Sequence, residues 1–241
     1  MPLDVPEDLL PRGCHLDRAS GIGPLALHAR GFAPDAAALD AQLSVLHAQA
    51  RARLAAGAEG EFPEIQAWRR AFSRMGLKPT QYRCAAESLL RRFRKEDALP
   101  AVHPLVDACN AASLAFAIPI AVFDLAQVAG ELQVRPATGW EQYLGFGGEA
   151  ERPEPGEVVF ADEQQHAHAR RWCHRQSAGS TIRPGTAEVL IVAEAMHAGA
   201  AQDLVRLEAV LRGLLAALGA AVLDARQLQR EDPLLALGQQ P

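Results

Sequence analysis

Val106-Asp107-Ala108-Cys109-Asn110, followed by Ile118-Pro119-Ile120-Ala121-Val122-Phe123-Asp124 and then Gly130, is the stretch on which the fold of this chain turns. A helix-like segment carrying Asp107 and Asn110 runs into a proline-broken turn, then into an apolar run that ends in Asp124. Neither helical periodicity nor capping requires Asp107 and Asn110 where they stand. Three residues apart, they fall on one helix face. A buried Asn there can donate and accept at once and lock its neighbours. Asp124 suits the cap of a short helix over residues 125–129. Further on, residues 189–193 form a β-branched run with the composition of a central strand, and Glu194 ends it. A buried carboxylate after five apolar residues must be paired or useful. Arg171 and Arg175 are its candidate partners in either case.

Outward from that stretch, Pro104 suits the first turn of a helix running to about Phe116, and Pro119 ends it. Residues 131–135 alternate as a strand should, and 156–160 form a buried strand with Glu157 at its mouth. Residues 166–176 are irregular and strongly basic. Residues 202–228 form one long amphipathic helix, and a loose tail follows from 231. On the other side, 35–56 is a helix. Ile65, Trp68, Phe72 and Met75 recur at a helical period until Gly76 caps the turn. Thr80 is the expected N-cap of the next helix. There Tyr82, Ala85, Ala86, Leu89, Leu90 and Phe93 make an apolar stripe, with Arg83, Glu87, Arg91 and Arg94 opposite. Residues 1–34 hold a strand or two with loops. Strands of mixed length with helices clustered at both ends give α+β rather than alternating βαβ.

The net charge of −5 hides an asymmetry. Between Trp68 and Lys95 nine basic residues face one acid, Glu87, so this segment carries +8 and the remainder −13. Such a block is either a polyanion-facing surface or a solvated helix face. The 241 residues allow one large domain or one with helical extensions. The four cysteines, Cys14, Cys84, Cys109 and Cys173, form no C-x-x-C pair. That pattern fits free thiols in a reducing cytoplasm and speaks against zinc. Cys109 lies in an apolar helix and is inert; Cys173 has cationic neighbours and is the better nucleophile, though packing suits both. His166, His168 and His174 match no familiar metal spacing. The N-terminus is not a signal peptide, and no apolar run reaches the length that spans a bilayer.

The order V-D-x-x-N, a Pro/Phe-Asp turn, a Gly, and T-x-x-x-x-x-x-x-E from Thr186 to Glu194 resembles the B3/B4 domain of the phenylalanyl-tRNA synthetase β-subunit. The resemblance covers roughly residues 68–197 and implies a β/β/α sandwich there; it says nothing specific about the first 60 residues or the C-terminal helix. Read as a whole, the chain is expected to be one unit over 1–230, with an N-terminal helical extension (1–64), a core (65–198) flanked by N- and C-terminal helices, the 202–228 helix and a 231–241 tail. The synthetase domain removes wrongly attached amino acids from tRNA. By that likeness Glu194, Asn110 and position 121 belong to the editing pocket, and Glu194 reads a polar group on the wrong amino acid. The family usually has His where this chain has Ala121, which opens volume and changes selectivity. Arg170–Ser177 reads R-R-W-x-x-R-Q-S, a form similar to that of free-standing B3/B4 proteins.

The first functional expectation is therefore a cytoplasmic aminoacyl-tRNA deacylase acting in trans, as monomer or homodimer, with no cofactor, metal, DNA or membrane. The ester is already activated, so placing water and shielding the oxyanion suffice. Arg171, Trp172, Arg175 and Gln176 would grip the tRNA 3′ end. Arg83, Arg91 and Arg94 would follow the tRNA body. A non-catalytic tRNA-binding module is the second expectation, favoured by Ala121. An amino-acid sensor that dimerises through the C-terminal helix is the third.

Overall fold

The computed structural model describes residues 23–33, 36–228, 235 and 237. In chain order these form β1 (Gly23–Arg30), α1 (Ala36–Ala56), α2 (Pro63–Arg74), α3 (Ala85–Glu96) and α4 (Pro104–Phe116). Then follow β2 (Ile120–Asp124), β3 (Gln133–Pro136), β4 (Tyr143–Leu144), β5 (Ala150–Glu151), β6 (Val158–Ala161), β7 (Ala167–Arg170) and β8 (Arg175–Gln176). The chain closes with β9 (Glu188–Ala195), α5 (Ala200–Ala217) and β10 (Ala221–Gln227). Residues 1–22, and with them Cys14, lie outside the described residues, as does most of the tail expected from 231.

The β-branched run expected as a central strand is β9, which pairs antiparallel with β1 on one side and β2 on the other. With β10 beyond β1, the sheet order is β10-β1-β9-β2. Alternation gives this sheet two apolar faces. Val189, Ile191 and Ala193 pack with Leu25, Leu27 and Val122 against α1, α4 and α5. Leu190 belongs to the other core, together with Ala26, Phe123, Val134, Val158 and Phe160. That second core is the space between this sheet and the second one, ordered β3-β6-β7-β8. The Phe123 and Phe160 rings meet across it with their centroids 5.4 Å apart. The result is helices on sheet on sheet, an α+β fold of the expected β/β/α kind.

Local chemistry explains most boundaries. His103 accepts from Leu105 N, Pro104 sits in the first turn of α4, and Ala117 ends it in the left-handed region at φ 55°. Asp124 accepts from Ala126 N and starts the short turn Leu125–Gln127, as its cap role requires. Four expectations need correction. The cap of α3 is Cys84, whose thiol accepts from Glu87 N, and not Thr80, which lies in a turn before the helix. Residues 166–176 are not irregular: β7 and β8 make a hairpin, turned by Arg171 (φ 46°) and Trp172 (φ 59°). The 202–228 helix stops at Ala217. Gly219 has φ +69°, and a side chain there would meet the Ala33 carbonyl oxygen at 2.5 Å, so the chain turns and returns as β10. The strand expected within 1–34 is β1, but it is an inner strand of the first sheet, so the stretch 1–64 is part of the core and not a helical extension of it.

Candidate functional site

Between the two sheets lies a cavity of about 360 Å³. Its walls are mostly apolar: Ala26, Leu132, Val134, Phe160, Leu190 and Val192 line it, and Leu228, Leu235 and Leu237 reach it from the C-terminal end. A smaller cavity of about 50 Å³ lies beside it, lined by Ala121, Trp172, Arg175 and Gln176 among others. Phe160, Val192 and Glu194 line both. Glu194 therefore stands where the two spaces adjoin. Strand alternation puts it there, two residues after Val192 on the face of β9 that looks at the second sheet.

Glu194 is 3% exposed. Its expected partners Arg171 and Arg175 do not reach it, which corrects that pairing. Both of its oxygens instead accept from the indole Nε1–H of Trp172, at 2.9 and 3.0 Å. Burial, with no cationic partner among the described residues, pushes the Glu194 carboxyl up to about 7, against the partial relief of the Trp172 hydrogen bond. Trp172 is itself fully buried, edge-on to Trp68 at 5.3 Å between centroids. It cannot stack on a base, contrary to expectation; it holds Glu194. Two consecutive non-glycine residues in the left-handed region are costly, and here they swing the indole inward from the β7–β8 turn.

The remaining expected residues divide. Ala121 lies opposite Val192 across β2 and β9 and lines the small cavity, so it is at the site. Asn110 lines neither cavity and is half-buried on α4. Gln176 Nε2 donates to the Val122 carbonyl at 2.5 Å and ties β8 to β2. Arg175 is exposed at the small cavity, with no ion pair among the described residues. Arg171 lies over the Tyr82 ring at 4.8 Å and 3.8 Å from Glu157. Asp124 also accepts from Thr186 Oγ1 at 2.8 Å, so both motif residues fasten the sheet edge. Gly130, at φ +68°, borders the large cavity where a side chain would strike the Glu163 carboxylate.

The arginines on and just before α3 are engaged. Arg83 and Arg69 face Glu87 at 3.4 and 2.6 Å. Arg91 and Arg94 face Glu59 at 3.5 and 2.7 Å. Both carboxylates are buried, at 1% and 2% exposure. Nothing in the local pattern signals the Glu59 pairing, because Glu59 precedes the basic block by nine residues. The thiols are packing groups: burial pushes Cys84 and Cys109 up to about 12 and Cys173 well above its ordinary value. His166 and His168 bond Asp162, at 3.1 and 3.2 Å, and His174 Nδ1 donates to the Arg83 carbonyl at 2.7 Å. Glu64, His197 and Asp203 bring one ligand atom each within 4.8 Å of one another. Arg53 and Arg206 already satisfy the two carboxylates. Among the described residues, no helix is long and apolar enough to cross a membrane.

Three comparisons bear on this geometry. A family model described as the B3/4 domain matches residues 67–206, more than half of the chain. The crystal structure of an N-terminal fragment of the phenylalanyl-tRNA synthetase beta-subunit from Pyrococcus horikoshii is similar over 83% of this chain, at 10% identity and a TM-score of 0.42. The match covers 46% of that fragment, so the chain spans less than half its length. No curated protein matches the sequence.

Proposed function

The chain belongs to the B3/4 domain family, and from that premise we propose that it hydrolyses the ester of a tRNA carrying the wrong amino acid. One observation carries the reading. A buried carboxylate with no cationic partner among the described residues stands in the wall of a mostly apolar cavity large enough for an amino-acid side chain. Burial of an ionisable group at such cost marks a site more often than a scaffold. Trp172 fixes the orientation of Glu194 but brings only one N–H to two oxygens. A ligand that brings its own hydrogen-bond donor adds what the protein omits, whereas a purely apolar side chain leaves the carboxylate unrelieved. Such a site rejects the apolar analogue strongly.

In this reading Glu194 selects the amino acid and the reaction is simple ester hydrolysis. Water adds to the ester carbonyl carbon, and the terminal ribose oxygen leaves with a proton, giving free amino acid and intact tRNA. An aminoacyl ester is activated enough that holding the water and the carbonyl in place supplies most of the acceleration. With Ala121 in place of the family His, that side chain takes no part in holding them. No cofactor is called for.

The test is release of amino acid from a panel of correctly and wrongly charged tRNAs, by wild type and by Glu194→Gln. We expect one mischarged species to be hydrolysed by wild type and the choice among species to be lost or broadened in the variant. If no species is hydrolysed, the deacylase reading fails. A second reading then stands, an amino-acid-binding domain without hydrolysis. It is favoured by Asn110 lying away from the cavities and by the ion-paired arginines of α3. Tight binding of a free amino acid, insensitive to tRNA and salt, would support it.

A further inference from the structure

Once the ion pairs are removed from the basic block, a different set of cations is left. Arg70, Arg74, Lys78 and Lys95 are exposed and carry no ion pair among the described residues, and the first three lie together on α2 and the turn after it. The sequence has no acidic residue between Ile65 and Ala86 to offset them. Arg70 and Arg74 are four apart on α2 and so share one face, about 6 Å apart along the axis. Past Arg74 the chain turns at Gly76 (φ +73°), and Leu77 N closes back on the Phe72 carbonyl at 2.9 Å. Lys78 follows, and its carbonyl accepts from Tyr82 N at 2.8 Å.

This turn leads to the site. The Tyr82 ring meets the His174 ring edge-on at 5.4 Å. His174 and Arg175, the latter exposed and without an ion pair among the described residues, both line the small cavity that Glu194 also lines. Positive side chains therefore run from the solvent face of α2, through the Lys78 turn, to the rim of the cavity.

Resting on the deacylase reading, we propose that Arg70, Arg74, Lys78 and Arg175 form a phosphate track for the acceptor end of the tRNA, displacing Arg83, Arg91 and Arg94 from that role. The geometry favours a strand with a free end. A polyanion that merely crosses the surface would satisfy Arg70 and Arg74 but would bring nothing to Glu194. A strand that terminates at Arg175 delivers its terminal group to the cavity. Guanidinium and ammonium groups with no carboxylate partner are available to phosphate without first breaking an ion pair. Arg83, Arg91 and Arg94 must first release a buried carboxylate, which is costly.

The test is the salt dependence of binding of a fluorescein-labelled, uncharged tRNA, followed by anisotropy. The proteins compared are wild type, Arg70→Gln/Arg74→Gln/Lys78→Gln, and the charge-keeping Arg70→Lys/Arg74→Lys/Lys78→Arg. Each lost phosphate contact removes roughly 0.7–0.9 from the slope of log affinity against log salt. The neutral triple variant should lose about 2 from that slope and bind at least about tenfold more weakly at moderate salt. The charge-keeping variant should bind like wild type, and thermal melts of all three should coincide because the positions are exposed. If wild type binds and the neutral variant binds as tightly with the same slope, the track is refuted and the deacylase reading survives. If wild type binds no tRNA at any salt, both fall together.

Discussion

Glu194 sets the chemistry of the site at the scale of one residue, and its titration gives a prediction that needs no substrate. An ordinary glutamate titrates near 4.5, and burial moves this one to about 7. The folded chain thus keeps a proton over a range in which the unfolded chain has released it. The stability this group contributes is full below about pH 4.5 and is lost as pH rises through about 7. Glu194→Gln has no proton to lose. Measured by denaturant unfolding, the variant should gain on wild type by on the order of 3 kcal/mol between about pH 4.5 and about pH 8. Equal pH dependence of the two proteins would show that Glu194 is not the buried, cation-free group described. Trp172→Phe keeps most of the packing and removes the carboxylate's only donor among the described residues. It should cost about 1–3 kcal/mol above neutral pH, and less at acid pH, where the carboxyl is protonated and needs no donor. Equilibrium unfolding at the two pH values separates this from simple loss of packing, which has no such dependence.

Helix α3 carries the lesson at the scale of an element. Its sequence sorts into an apolar stripe and an opposed row of arginines, and the structure keeps that sorting. What the pattern could not say is where the arginines go, because Glu59 lies on a separate turn before α2. Replacing Arg91 and Arg94 together by Gln would strand the buried Glu59 carboxylate. Allowing for the half-exposed guanidinium groups, a loss of about 1–3 kcal/mol is expected, seen as a lower midpoint in thermal or urea unfolding. Adding Glu59→Gln should restore much of it; failure to do so would mean the arginines act through something other than Glu59. Elements whose signal is local were legible in this way. The α4 helix with its Pro104 start, the Asp124 cap and the β9 strand all follow from residues within a few positions of one another. Elements decided by distant contacts were not. The amphipathic pattern beyond Ala217 continues, yet Gly219 packs on Ala33 and forces a turn. Trp172 sits in a basic stretch that looks solvated, and only the left-handed turn of Arg171 and Trp172 sends it to the core. Of the residues that line the candidate cavities, Glu194 and Ala121 stood out through a resemblance and Arg175 through the R-R-W-x-x-R-Q-S run, whereas the apolar walls did not stand out at all, because a strand residue that lines a cavity looks like one that fills a core.

At the scale of the whole molecule, the cavity exists because two sheets pack face to face without filling the space between them. Close-packed interiors rarely leave so large a void unless something enters it. Ala26, on the inner strand β1, is 3% exposed and faces that space from opposite Val192. A larger residue there would add apolar contacts without displacing a neighbour. Ala26→Leu should therefore raise stability, by about 1 kcal/mol, while blocking entry of the amino acid. A core position behaves otherwise: at Ala29, on the packed face of the same strand, the same change should overpack and destabilise, by about 1–3 kcal/mol. Measuring unfolding and deacylation for both variants sets the two faces of one strand against each other. A more stable but inactive Ala26→Leu beside a less stable Ala29→Leu would establish that the space between the sheets is a binding site. Destabilisation by both would mean that the space closes in solution and that the ligand enters elsewhere.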